Sequence, residues 1–311
     1  GRLDGRPLLF ALRDQKFSTL FSSIDNARTT ASPALDQYAV PSTAVGANGI
    51  VRVPLTETVS IEMGADLRHV FVVDNKFSRN RSAGGEQLIT GAFAELNWEA
   101  LPGVTLTAGG RIDYWRQSDG SRVETVIADG SSLRNDAFPV RDGTVGNFRA
   151  GARVAMTDDF ALKAVAYSGY RVPTINELYR PFRVGNDITE ANPNLNPERL
   201  WGVEGGAEWL PTAALKLDAT FFHVWLNNAV SNITITTTPG FNAELGVFVP
   251  GGGSLRHRRN LDRIEVNGAE AEAVWALSNQ FELALRYLYT DPKVKRSADE
   301  PTLVGNRLAQ V

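Results

Sequence analysis

The sequence predicts an all-β protein that folds as a transmembrane up-and-down antiparallel β-barrel. Three observations support this prediction: apolar and polar residues alternate along many runs, short and long links alternate between the runs, and aromatic residues gather near the ends of the runs. Barrels that span a membrane show the first pattern because every second side chain faces lipid. They show the second because their turns are tight on the periplasmic side and long outside.

The links between the runs fall into two regular classes. Five are short enough for tight turns: Pro54–Glu57, Ala100–Gly103, Thr157–Asp159, Pro211–Ala213 and Ser278–Gln280. Five are long and polar: Asp74–Gln87, Gln117–Val145, Arg171–Arg199, Ala229–Asp262 and Asp291–Leu303. A soluble sandwich has no reason to sort its links in this way, so we expect the long links to be external loops.

The runs themselves alternate with a period of two, as strands with two different faces do. Apolar residues share one face in Val59–Val73, Trp201–Trp209, Leu215–Trp225 and Phe281–Tyr289. Charged residues occupy the opposite face, which suits a wet lumen. Counting the runs gives about twelve strands, several of them longer than the roughly 9–11 residues that cross a bilayer.

Aromatic residues near the predicted strand ends are typical of the girdles that barrels place at both membrane surfaces. Ordinary β-propensity also enriches aromatics in strands, so this observation supports the barrel without proving it. The ten residues are Trp98, Tyr114, Trp115, Tyr170, Trp201, Trp209, Trp225, Trp275, Tyr287 and Tyr289.

Composition excludes several classes of function. The chain has 311 residues, a net charge of −3 and no cysteine, so disulfides, zinc–cysteine sites and thiol catalysis are excluded. A nucleic-acid-binding protein would usually be strongly basic, and we expect no such partner. We see no domain boundary and treat residues 1–311 as one β domain.

Three motifs occur in order along the chain. The first is Tyr170-Arg171-Val172-Pro173-Thr174, followed by Glu177-Leu178. The second is Asn192-Pro193-Asn194-Leu195-Asn196-Pro197-Glu198, which leads into Gly202-Val203-Glu204-Gly205. The third runs from Asn260 to Gly268-Ala269-Glu270-Ala271-Glu272. Together they resemble the signature of TonB-dependent outer-membrane receptors. Proline and asparagine fit chain turns at strand ends, so we interpret these motifs as architectural.

The resemblance implies a fold and a function. A receptor of this family has a barrel of about 22 strands, within the known range of sizes, enclosing an N-terminal plug domain. Residues 1–311 would then be part of the barrel, an internal fragment without the plug or the TonB-binding segment. Such receptors lie in the outer membrane of Gram-negative bacteria and import scarce nutrients when TonB acts on the plug. A ferric siderophore is the favoured cargo, with cobalamin, haem or a glycan as alternatives.

Other classes of function remain open from the residues alone. A passive porin shares the barrel pattern, and a soluble all-β binding protein shares the alternation. A barrel enzyme such as a lipase or protease would need convergent catalytic groups. The three histidines stand far apart and not at metal-ligand spacing, so we expect no catalytic residue, metal or cofactor.

Two groups of residues in the long links are candidates for ligand binding. The basic run after a glycine-rich tip could attract an anionic cargo such as a ferric siderophore, or contact lipopolysaccharide phosphates. The carboxylate and amides in the earlier link could serve the same cargo, or hold calcium, although their spacing matches no known calcium loop. The candidates are Arg180, Arg183, Asn186, Asp187, Arg256, His257, Arg258 and Arg259.

Overall fold

The computed structural model describes residues 4–24, 27–70, 73–77, 79–298 and 300–308. In these residues it confirms the all-β prediction, with eleven strands of 12 residues or more. They are β1 (Asp4–Ile24), β2 (Ala31–Pro54), β3 (Val59–Val70), β5 (Arg79–Leu101), β6 (Val104–Val126), β8 (Arg141–Ala155), β9 (Phe160–Arg171), β12 (Glu198–Thr212), β13 (Leu215–Thr236), β16 (Leu255–Ser278) and β17 (Phe281–Arg296).

Shorter elements lie at one end of these strands. They are β4 (Val73–Phe77), β7 (Ser132–Ala137), β10 (Phe182–Val184), β11 (Asp187–Glu190), β14 (Gly240–Asn242), β15 (Val247–Val249), the helix α1 (Ile175–Tyr179) and a 3-10 turn at Pro301–Leu303. No helix in the described part of the chain is long and apolar enough to cross a bilayer.

The long strands pair antiparallel with their neighbours in the sequence, from β1 through to β17. This confirms the up-and-down order. Among the described residues no pairing joins β1 to β17, so the sheet is an open stretch of barrel wall.

All five short links are tight turns at the same end of the sheet. Residues 55–58 join β2 to β3, 102–103 join β5 to β6, 156–159 join β8 to β9, 213–214 join β12 to β13 and 279–280 join β16 to β17. The regular alternation of links therefore predicts correctly that the tight turns share one end of the sheet.

The long links differ from the prediction, because strands extend into them. Strand β6 continues to Val126, β13 to Thr236 and β17 to Arg296, and β4 and β5 fill most of Asp74–Gln87, where residue 78 lies outside the described residues. The physical reason is that ladder hydrogen bonds continue beyond the membrane, where neither face meets lipid. The apolar alternation ends there although the strand does not.

The two faces of the sheet separate as predicted. Trp201 lies opposite Trp225 and Ala207 opposite Ala219, on the face that barrels turn to lipid. The charged face forms cross-strand pairs, among them Arg153 with Glu208 at 2.9 Å. Further pairs on that face join Lys163 to Asp218 at 2.6 Å and the Tyr167 hydroxyl to Glu204 at 2.7 Å.

Six of the ten aromatic residues form two rows, whereas Trp115 and Tyr170 pack in one cluster away from them. Trp98, Trp209 and Trp275 lie near the tight turns, and Trp201, Trp225 and Tyr289 lie nearer the loops. Trp115 is only 7% exposed and packs against Val145 and Val172, so its assignment to a girdle is wrong. It stands at an inward position of β6, beside the buried Asp113 and Gln117.

The buried apolar clusters lie at the loop end of the sheet and support the candidate site. One contains Ile175, Leu178, Tyr179 and Leu195, and another contains Ile188, Val249 and Leu255. The long links are thus packed structures.

Candidate ligand-binding site

The site is built on α1, which begins directly after β9. Thr174 is the N-cap, and its hydroxyl accepts from the Glu177 backbone while the Glu177 carboxylate accepts from the Thr174 backbone at 2.7 Å. Arg171 donates to Glu177 at 2.7 Å and to Glu198 of β12 at 2.5 Å. Burial raises the pKa of Glu177, but these hydrogen bonds outweigh it and hold the pKa below its usual range. The first motif therefore forms a network of ion pairs and capping hydrogen bonds at the end of β9.

Tyr179 fixes α1 against the wall. It is 1% exposed and stacks on Phe138 with ring centroids 5.0 Å apart. A Cβ at Gly120 would stand 2.5 Å from the tyrosine ring, and one at Gly85 would stand 2.9 Å from it. Only glycine leaves this space on β5 and β6, so the two glycines form the socket that holds α1.

The second and third motifs bind each other. The Asn196 backbone N–H donates to the Asn260 side chain at 2.9 Å, and that side chain donates back to the Asn196 carbonyl at 3.0 Å. Arg141 of β8 donates to the carbonyls of Pro193 and Leu195 at 2.6 and 2.8 Å. These contacts give the architectural interpretation of the motifs a structural basis, because they fix the third long link against the fourth.

A parallel pairing completes the seam between the two links. Strand β11 pairs with the start of β16, with Ile188 opposite Leu255 and Glu190 opposite His257. The Asp187 carboxylate accepts from the Ser254 hydroxyl at 2.6 Å and from its backbone at 2.9 Å, and these bonds lower the pKa of Asp187. We call the contact of β11 with residues 251–258 the loop seam.

Asn186 and Arg183 lie at the exposed edge of the loop seam. The Asn186 amide donates to the Gly251 carbonyl at 3.0 Å, and the Arg183 Nε donates to the Gly185 carbonyl at 2.8 Å. Arg256 lies opposite Thr189 and is half-buried. The structure thus joins Asn186 and Asp187 to the basic run, although 65 residues separate Asn186 from Gly251.

Three guanidinium groups crowd together beside α1. Arg258 donates from Nη1 to the carbonyls of Asn176 and Arg180 at 2.6 and 2.7 Å, so it holds the C-terminal end of the helix. Burial lowers the pKa of Arg180, and the positive charges of Arg258 and Arg81 lower it further. Burial also lowers the pKa of Arg258. Concentrated positive charge of this kind favours an anionic ligand.

His257 and Arg259 complete the basic run. His257 lines a cavity of about 250 Å³ together with Arg122, Arg134 and Glu244. Its ring bonds to the Ala191 backbone, while Nδ1 is buried and has no hydrogen-bond partner among the described residues. Burial lowers the pKa of His257, as does the nearby charge of Arg259, which also approaches Glu244 at 3.5 Å.

One charged network was missed by the sequence analysis. Glu124 accepts from Arg81 at 2.9 Å and from Arg122 at 2.6 Å, and Arg122 also donates to Glu190 of β11 at 2.6 Å. Glu124 and Glu190 are 1% and 4% exposed. Burial raises the pKa of Glu124, but the two arginines outweigh it and the pKa lies below its usual range.

A change of face in β6 conceals this network in the sequence. Buried positions are odd at Asp113 and Gln117 but even at Arg122 and Glu124. The change coincides with Asp119, which has a φ of +54°, and with an irregular register against β5. Along β6 the inward charged residues change from odd to even positions, and this change in the sequence could have revealed the bulge.

The chemistry of the loop seam is that of hydrogen-bond donors and cations. In the residues that the structure describes, no three histidine, aspartate or glutamate side chains converge as metal ligands. The groups at the loop seam are guanidiniums, amides and one imidazole, which bind anions and carbonyl groups by hydrogen bonds. The role of the eight candidate residues in ligand binding stays a prediction.

Comparison with known proteins gives the family. A family model described as the β-barrel of TonB-dependent receptor-like proteins matches residues 5–311. No significant match was found among curated protein sequences.

Solved structures share the fold at low sequence identity. The ferric yersiniabactin uptake receptor FyuA from Yersinia pestis has 16% identity and a TM-score of 0.64, over 96% of this chain and 41% of that one. The copper transporter OprC has 15% identity and a TM-score of 0.66, over 93% and 44%. A mutant ferric enterobactin receptor, PfeA, from Pseudomonas aeruginosa has 18% identity and a TM-score of 0.61, over 91% and 41%. The chain thus spans less than half the length of each.

Proposed function

The chain belongs to the TonB-dependent receptor family through its β-barrel, and from this we propose that it takes part in active import of a scarce nutrient across the outer membrane. The family consists of outer-membrane receptors and not of enzymes. The favoured cargo is a ferric siderophore, TonB is the energy-coupling partner, and the host is a Gram-negative bacterium. Residues 1–311 supply part of the barrel wall and its external loops, and no covalent chemistry is required of them.

One observation supports an anionic cargo above the others. Arg81, Arg180 and Arg258 lie close enough that their like charges lower the pKa of Arg180 at the loop end of the wall. Glu124 already pairs with Arg81 at 2.9 Å, and an anion bound beside Arg180 and Arg258 would add negative charge next to their guanidinium groups. Arg256 and Arg183 add positive charge on the same two links.

The similar structures are compatible with this cargo without selecting it. One is an uptake receptor for ferric yersiniabactin, one is a receptor for ferric enterobactin, and one transports copper. Their identity to this chain is at most 18%, so they inform the fold and not the ligand. Specificity lies in loops that vary on a common barrel.

Uptake by cells producing the full-length receptor tests the function. Labelled ferric siderophores and labelled cobalamin are supplied separately, to strains with and without functional TonB. We expect iron accumulation that requires both the receptor and TonB. Cobalamin uptake alone would keep the class and change the cargo, and uptake independent of TonB would indicate a passive pore instead.

A charge-removal variant tests the proposed site. Replacing Arg180 and Arg256 by glutamine should weaken binding of an anionic siderophore about tenfold at low salt, and less at high salt, because two charged contacts are lost. Arg286→Gln is the matched control, because Arg286 is 76% exposed and lies on β17, away from the loops. Titration of the purified full-length receptor measures both. Equal affinity in all three proteins would refute the site.

A further inference from the structure

The cavity beside His257 lies where the second, third and fourth long links meet, and we call it the loop cavity. Its volume is about 250 Å³. Space of this size holds roughly eight water molecules at about 30 Å³ each. It is smaller than the pockets of about 300–1,000 Å³ that hold drug-sized ligands. The loop cavity therefore suits a single ring with its substituents.

Contacts between the links hold the loop cavity in shape. Arg134 donates to the Leu245 carbonyl, which joins the second long link to the fourth. Arg122 donates to Glu190 at 2.6 Å, which joins β6 to the third. The loop seam joins the third to the fourth. A site whose walls are fixed before the ligand arrives loses less conformational entropy on binding.

One polar atom of the lining has no partner. His257 Nδ1 is buried without a hydrogen bond in the part of the chain that the structure describes, so the bond to the Ala191 backbone comes from Nε2. That bond raises the pKa of His257, as donation from a ring N–H to a carbonyl does. Burial and Arg259 outweigh it and hold the pKa below 6.5, so the ring is neutral at neutral pH. Nδ1 is then an acceptor, and a ligand satisfies it by offering an O–H or N–H group.

The charge of the lining disfavours an anion. In the described part of the chain, the lining groups other than His257 that carry charge are three carboxylates and two guanidiniums, namely Asp136, Glu190, Glu244, Arg122 and Arg134. Arg122 is already bound by Glu124 and by Glu190, each at 2.6 Å. An anion in the loop cavity would therefore be repelled, whereas an uncharged ligand would not.

Two of the carboxylates remain able to accept hydrogen bonds from a ligand. Asp136 lies 3.5 Å from Arg134, and Glu244 lies 3.5 Å from Arg259. These contacts are long for charge-assisted hydrogen bonds. Arg134 has five N–H groups and can donate to a ligand oxygen as well. Acceptors and donors so close together complement hydroxyl groups, which do both.

An aromatic pair forms the apolar part of the lining. Phe138 and Tyr179 stack with ring centroids 5.0 Å apart, and Leu178 and Pro193 also line the cavity. The face of an aromatic ring carries partial negative charge and attracts C–H groups. A sugar ring has C–H groups on its faces and hydroxyl groups around its edge, so it matches both parts of the lining.

From the size, the unpartnered acceptor and the lining we propose that the loop cavity binds a single neutral sugar ring. Hydroxyl groups of the ring donate to His257 Nδ1 and to the two carboxylates and accept from Arg134, while a C–H face packs against Phe138. The proposal does not depend on the anionic cargo, because that cargo is assigned to Arg180 and Arg256.

Saturation-transfer NMR on the purified full-length receptor tests the loop cavity, in a detergent whose headgroup is not a sugar. The probes are D-glucose, D-galactose and D-mannose, each beside its uronate, which is an anionic ring of the same size. We expect saturable binding of at least one neutral sugar with a dissociation constant of about 1–10 mM, as a few hydrogen bonds give. Its uronate should bind about tenfold more weakly. Equal or tighter binding of the uronate, or no binding of any neutral sugar up to about 100 mM, would overturn the proposal.

Two substitutions remove acceptors from the loop cavity. Glu244→Ala removes an exposed carboxylate and His257→Phe removes the unpartnered nitrogen, so each should weaken sugar binding about three- to tenfold. Glu272→Ala is the matched control, because Glu272 pairs with Arg286 nearer the tight turn of β16 and should not affect the affinity.

The two cavity variants carry different risks for folding. His257→Phe also removes the bond to the Ala191 backbone, whereas Glu244 lies at the surface, so Glu244→Ala gives a result even where His257→Phe does not fold. Unchanged affinity in the folded cavity variants, or an equal loss in Glu272→Ala, would contradict the assignment of the sugar to this cavity. Sugar binding is measured without uptake, so its failure leaves the proposed import function standing.

Discussion

At the scale of single residues, burial decides which charges matter for the fold. Glu124 is 1% exposed and accepts from two arginines, whereas Glu272 pairs with Arg286 across side chains that are 38% and 76% exposed. Removing one partner from a buried pair leaves an uncompensated charge, but solvent screens the same loss at the surface. Loss of the Glu124 carboxylate should therefore cost more stability than loss of the Glu272 carboxylate, although both form ion pairs between strands.

Glu124→Gln should destabilise the full-length receptor by about 3 kcal/mol because Arg81 and Arg122 lose their shared carboxylate. Glu272→Gln is the control and should cost less than about 1 kcal/mol. Equilibrium unfolding in detergent, followed by the mobility shift of the folded barrel on gels, measures both. A comparable cost for the two substitutions would mean that the buried network does not stabilise the fold.

At the scale of elements, tight turns and alternating faces could be predicted because they depend on neighbouring residues. Strand β13 shows both, with its turn at 213–214 and its apolar odd positions. The loop seam could not be predicted, because Asn186 and Gly251 are 65 residues apart and no local pattern connects them. The extension of strands beyond the membrane could not be predicted either. The apolar alternation of a sequence reflects contact with lipid, whereas a strand continues wherever ladder hydrogen bonds form.

The loop seam should weaken in mild acid because of His257. Its pKa is lowered in the folded state by burial and by Arg259, while unfolding restores the usual value of 6.5. The unfolded state therefore binds the proton more readily, so stability is complete above pH 6.5 and declines as the pH falls below it. The charged groups that face the ring across the cavity are Arg122, Arg134, Asp136, Glu190 and Glu244.

Hydrogen exchange of the full-length receptor can measure this effect. Protection of residues 187–190 and 254–258 should be lower at about one pH unit below the usual histidine pKa than at one unit above it, after correction for intrinsic rates. In His257→Gln, whose amide can form hydrogen bonds but does not titrate, the difference should vanish. A pH dependence that persists in this variant would assign the effect to another group.

At the scale of the whole molecule, small residues allow the charged face to span several strands. Lys163 of β9 reaches Asp218 of β13 across β12, where Gly206 lies between them, and a Cβ at Gly206 would stand 2.9 Å from Lys163 Cε. Arg153 of β8 likewise reaches Glu208 of β12 across the small Ala161. Such pairs connect alternate strands on the lumenal side, while the small apolar residues Ala207 and Ala219 lie opposite each other on the lipid-facing side.

This asymmetry predicts opposite results for lysine at two adjacent positions of β13. Ala219 faces lipid near the middle of the apolar band, and Thr220 faces the lumen opposite Gly206. Ala219→Lys should reduce the stability of the folded barrel in lipid vesicles by about 2–4 kcal/mol, because a charge at the bilayer midplane is desolvated. Thr220→Lys should cost far less because its ammonium group remains in water beside Asp218. Urea titration of the full-length receptor in vesicles compares the two. Equal costs, or a larger cost at Thr220, would mean that the lipid-facing and lumenal faces of the sheet are assigned wrongly.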